Sequence, residues 1–109
     1  MLINFSEMEP KTIQAFKGGE REVQTCMFKD ENGKIARFSL EPGASIGLHL
    51  HDTSSEMIYV ISGSGKALFD ASEEALLPGI CHYCPKGHSH SVINSGNETL
   101  TFFAVVPEQ

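Results

Sequence analysis

Short runs of β-branched and aromatic residues, each broken after about 8–12 residues by a turn signal, constrain this chain more than any other feature. TIQAF, EVQTCMFK, KIARFSLE, SIGLHLH, EMIYVIS, GKALFDA, EALL, ICHYCP, HSVIN and TLTFFAVV alternate with GGE, DENG, EPGA, HDTSS, SGSG, LPG, PKG and NSGNE. No long stretch carries a helical period, so the chain reads as nearly all β, with at most a short helix in SEMEP. Asn32-Gly33 marks a hairpin turn. A chain of 109 residues has length for one domain, spanning 1–109, and a modest core. Without linker or repeat, a single closed barrel or sandwich that removes its sheet edges is the simplest architecture.

Charge and composition then exclude several classes of partner. The net charge is −6, with only eight Lys and Arg scattered along the chain. That argues against nucleic acid or an anionic membrane surface, both of which need a basic patch. Nowhere is there a run of about 18 apolar residues, and MLINFSEMEP has neither a charged leader nor a signal-length apolar stretch. The expected location is the cytoplasm. Three cysteines, Cys26, Cys81 and Cys84, are an odd number without a secretion signal, so reduced thiols are expected rather than a disulfide framework.

One segment points to chemistry. In GASIGLHLHDTSSE, strand alternation sends His49 and His51 to one face and Leu48 and Leu50 to the other. The turn DTSS reverses the chain, and Glu56 heads EMIYVIS, a strand expected to pair with the first and bring its carboxylate beside the imidazoles. A further imidazole can come from GHSHSVIN. Two inward imidazoles and an inward carboxylate form an unfavourable buried polar cluster without a cation, whereas neutral nitrogens plus one carboxylate suit a divalent transition metal. Mn, Fe, Ni and Zn all accept that donor set.

These residues carry a resemblance. The chain resembles a single-domain cupin, whose first motif is matched by Gly43, His49, His51, Glu56 and Gly63, and whose second is matched by Gly79, Pro85, Gly87, His90 and Asn94. The motifs lie at 43–63 and 79–94. The resemblance implies an antiparallel jelly-roll barrel and one divalent metal per chain, held by His49, His51, Glu56 and His90. It further implies dioxygenase, isomerase, epimerase or lyase chemistry on a small polar molecule, with Glu56 doubling as proton acceptor. The rival reading is a non-catalytic barrel in which a metal anchors a sugar or metabolite.

Other residues are candidates of lower weight. His88, two before His90, is a catalytic candidate, with Tyr83 and Arg37 behind it. His82 and Cys84 share strand parity, so either could line the interior. The Cys-x-x-Cys of CHYC falls within a strand and lacks a second pair, so its thiols read as two buried small hydrophobes, not a zinc knuckle. Finally, Met57, Tyr59 and Ile61 form an outward apolar row, expected either to bury in a homodimer or to be covered by an N-terminal strand.

Overall fold

The computed structural model describes residues 1–109. Ten strands are present: β1 (Lys11–Gln14), β2 (Glu22–Asp30), β3 (Gly33–Leu40), β4 (Ser45–Leu50), β5 (Glu56–Ser62), β6 (Gly65–Phe69), β7 (Ser72–Leu76), β8 (Cys81–Cys84), β9 (Ser89–Ile93) and β10 (Leu100–Pro107). They form one sheet in the order β1-β2-β3-β10-β5-β8 and a second in the order β4-β9-β6-β7, antiparallel throughout. The turn spacing implies an all-β chain, and the resemblance to cupins implies the antiparallel jelly-roll arrangement found here. The expected helix in SEMEP is a 3-10 turn over Phe5–Glu7, and a second such turn covers Phe16–Gly18.

Two local expectations shift. The β2–β3 hairpin turns on Glu31-Asn32, one residue earlier than Asn32-Gly33, because Gly33 already pairs with Asp30. The Asp30 carboxylate accepts from the Asn32 N–H at 2.9 Å, a bond that suits Asp at the first turn position. A Cβ on Gly33 would lie 2.2 Å from the Val106 carbonyl, so glycine is required by the closeness of β10 as well as by its φ of +137°. The larger shift concerns β5. It does not pair with β4 but lies between β10 and β8 in the opposite sheet, so DTSS carries the chain across the sandwich.

The register explains where the interior is full and where it is open. Facing inward across the β3–β10 ladder are the pairs Leu40–Leu100, Phe38–Phe102, Ala36–Ala104 and Lys34–Val106. The side chains shrink from leucine and phenylalanine to alanine along the same two strands. At the large end, Val23, Leu40, Leu76, Leu100 and Phe102 are fully buried, and Phe38 stacks on Phe102 at 5.4 Å. Asn94 closes this end: its amide donates to the carbonyls of Leu40 and Glu98, both at 2.8 Å, and its oxygen accepts from the Gly96 N–H at 2.9 Å. At the alanine end, a cavity of about 460 Å³ opens between the sheets.

Candidate metal centre

At the inner wall of this cavity stand His49 on β4, His51 just after it, Glu56 at the start of β5 and His90 on β9. Each offers one donor atom, and the four atoms lie within 4.8 Å of one another. His49 and His90 are direct ladder partners, while Glu56 reaches them from the facing sheet. Convergence is therefore across the sandwich, not along one hairpin.

Local backbone features aim the rings. The β4–β9 register shifts between Ile46 and His49, at Gly47 and Leu48. A Cβ on Gly47 would meet the Lys17 carbonyl at 2.1 Å, so glycine lets the Phe16–Gly18 turn cross the strand here. Within this irregularity the Gly47 carbonyl accepts from His49 Nδ1 at 2.7 Å. A carbonyl can only accept, so the His49 proton sits on Nδ1 and Nε2 is left bare. The Ser54 hydroxyl lies 3.0 Å from His51 Nδ1 and, being both donor and acceptor, can serve either tautomer.

The donor atoms fit a cation better than they fit one another. His51 Nε2, His90 Nε2 and Glu56 Oε1 form a triangle with edges of 2.9, 3.0 and 2.9 Å. One proton on His51 Nε2 can serve one corner of such a triangle, but not all of it. Ligands at right angles around an ion, with bonds of about 2.1 Å, stand about 3.0 Å apart, which is the spacing seen. Burial alone would raise the Glu56 pKa, but the adjoining His51 and His90 rings outweigh it and hold the carboxyl down to about 2. Burial likewise pushes the His49 pKa below the ordinary histidine value, which keeps the ring neutral, as metal binding requires.

The remaining candidates fall elsewhere. His88 pairs through Nδ1 with Asp70 at 2.8 Å, stacks on Phe69 and lies outside the cavity lining. Arg37 alternates with the inward Ala36 and Phe38 and so faces out, its guanidinium 3.8 Å from Cys26 Sγ. Tyr83 is exposed on the outer face of β8. Cys81 is exposed while Cys84 is buried, so only one thiol of CHYC behaves as a core residue. Burial, with the Glu56 charge second, pushes the Cys84 thiol up to about 11; Cys84 is the cross-strand partner of Glu56, and its Sγ lies 3.6 Å from the His88 carbonyl.

Three contributors escape sequence reading altogether. Lys34 faces inward at the mouth, Ser54 orients His51, and Glu74 bonds to His82, which is buried as its parity allows but turns towards His90 rather than into the cavity. A lysine in a strand, a serine in a turn and a glutamate in SEEAL carry no signal of their own.

The cupin domain family model matches residues 36–106. The chain is similar to the oxalate-binding protein of Thermotoga maritima, 31% identical over 112 residues that cover 97% of this chain and 93% of that one. A crystal structure from Thermotoga maritima, described as a predicted oxalate decarboxylase, superposes with a TM-score of 0.94 at 30% identity over the whole of both chains. A polyketide cyclase from Streptomyces resistomycificus shares the fold, with a TM-score of 0.81 at 20% identity over 98% of this chain and 78% of that one.

Proposed function

The chain belongs to the cupin family, and from that premise we propose that it is a metal-dependent enzyme acting on a small polar organic molecule, with one Mn, Fe, Ni or Zn ion held by His49, His51, Glu56 and His90. The observation that carries this reading is the triangle of His51, His90 and Glu56 donor atoms, 2.9–3.0 Å on each edge, at the wall of an open cavity. A bound ion would supply Lewis acidity or redox chemistry to an oxygen ligand, which suits dioxygenase, isomerase, epimerase or lyase reactions.

The chain's own residues narrow the ligand. Lys34 lines the cavity, and burial lowers its pKa, the mark of an ammonium short of water that an anion would stabilise. Lys17 and Lys29 also line the cavity, among the carboxylates Asp30, Glu31, Asp52 and Glu108. A small carboxylate meets both the cation and these lysines, and the name of the Thermotoga maritima relative supports that class. Glu56, held near 2, serves as an ionised ligand and would be a weak proton acceptor near neutral pH. His88 is left out of the proposed machinery because its ring bonds to Asp70.

That relative's name favours a second reading, a binding module that captures a carboxylate without turnover. Calorimetric titration of manganese-loaded protein with oxalate, followed by an oxalate-consumption assay on the parent and Glu56→Gln, separates the two. Consumption lost in the folded variant supports the enzyme, and binding without consumption supports the module. Binding of neither manganese nor oxalate overturns both.

We also propose a cytoplasmic homodimer. Three unpaired thiols suit a reducing compartment. Phe5 covers Phe103 edge-on at 5.2 Å, yet Tyr59, Ile61 and Tyr83 stay exposed on neighbouring strands of the same sheet, beside the half-buried Met57. A second copy burying that apolar face is the expected cover. A light-scattering mass of one chain at micromolar concentration would refute the dimer.

A further inference from the structure

His90 is fully buried and makes a bond that no cavity residue supplies: its Nδ1 lies 2.9 Å from His82 Nε2. His82, whose side chain is also fully buried, continues outward, its Nδ1 2.6 Å from Glu74 Oε1. Glu74 is half-exposed on β7, the edge strand of one sheet, and His82 sits on β8, the edge strand of the other. The row Glu74–His82–His90 thus runs from the surface, across the seam between the sheets, to the back of the donor triangle.

The row admits one arrangement of protons when both rings are neutral. A carboxylate only accepts, so Glu74 requires the His82 proton on Nδ1. His82 Nε2 is then bare and must accept, so the His90 proton sits on Nδ1. His90 Nε2 is left bare and faces Glu56 Oε1 and His51 Nε2. The alternative, with the proton on His90 Nε2, would set two bare nitrogens 2.9 Å apart in a site without water access, an arrangement burial makes costly. The edge of the Phe69 ring against His82, centroids 5.8 Å apart at 81°, holds that imidazole in line.

We infer that Glu74 and His82 are positioning residues that fix His90 in its metal-binding tautomer and orientation from outside the cavity. The inference rests on His90 being a ligand, as proposed above. Outer partners of this kind change metal affinity by about 10–100-fold when removed. His49 gets the same service from a backbone carbonyl, which no substitution can delete; the support of His90 can be removed through a surface side chain.

The test uses the full chain as parent, Glu74→Ala and Glu74→Asp. Imidazole ¹⁵N shifts of the metal-free proteins at pH 8 report the His90 tautomer, and chelator competition reports zinc affinity. In the parent, His90 is expected as the Nδ1–H form; in Glu74→Ala the tautomers mix and zinc affinity falls about 10–100-fold, with partial return of both in Glu74→Asp. An unchanged His90 tautomer in Glu74→Ala overturns the inference, as does an unchanged zinc affinity in a parent that binds zinc. A parent that binds no zinc defeats the metal-site reading, and the tautomer measurement alone then upholds or overturns the role of Glu74.

Discussion

The two ends of one ladder behave as different materials. Between β3 and β10, the end at Leu40–Leu100 and Phe38–Phe102 is packed and dry, whereas the end at Ala36–Ala104 and Lys34–Val106 borders a cavity with four metal-donor side chains in its wall. The packed end collects the burial that stabilises the fold, since large apolar side chains removed from water each contribute about 1.5–3 kcal/mol. The open end gathers carboxylate and imidazole where water is scarce, which opposes folding unless a cation or ligand compensates. A small barrel can thus keep an unfavourable site because the stabilising contacts lie elsewhere on the same strands.

The strongest way to break this division is His90→Ala. Metal content by elemental analysis should fall from near one equivalent per chain to none while the barrel stays folded. At free metal of about 1,000 times Kd a bound ion adds about 4.1 kcal/mol, so chelator should lower the Tm of the parent and leave that of His90→Ala unchanged. The mirror experiment is Phe102→Ala at the packed end, expected to lose about 3–5 kcal/mol in denaturant unfolding with metal stoichiometry intact. Loss of metal in this variant would mean that the two ends are coupled.

Acid sharpens the contrast. The His49 pKa is below the ordinary histidine value when folded, so the unfolded chain takes up its proton first. Stability of the metal-free protein should therefore fall as pH drops from about 6.5 towards the lower folded value, and metal should leave over the same descent, because protonated imidazole cannot bind. Urea midpoints at stepped pH values check the sign; a midpoint that rises on acidification to pH 5 would contradict it. Smaller still is the effect expected of His88→Ala, within about 0.5 kcal/mol and without change in metal content, since its partner Asp70 is about half-exposed.

What could be read from the sequence was whatever repeats or is locally spaced. Period-two alternation placed Ile58 and Val60 inside, and His-x-His placed two imidazoles on one face. Asn94 was legible as part of a motif, but its task, tying the packed end together by three hydrogen bonds, was not. The assignment of β4 and β5 to opposite sheets depends on pairings with β9 and β10, strands more than thirty residues further along, and no local pattern encodes that choice. The Glu74–His82–His90 row was hidden for the same reason: its members come from three strands, and only the fold makes them neighbours.

The descent from Phe38 to Ala36 along β3 makes the interior a ruler. A ligand held at its charged head by the proposed centre and Lys34 would extend past two methyl-sized side chains before meeting Phe38, itself backed by Phe102. Chain length rather than polarity would then set the upper limit on what enters, and its graduations are Ala36 and Ala104. Enlarging either shortens the scale and leaves the four donors untouched, so acceptance of longer or shorter molecules can drift by single substitutions without rebuilding the centre.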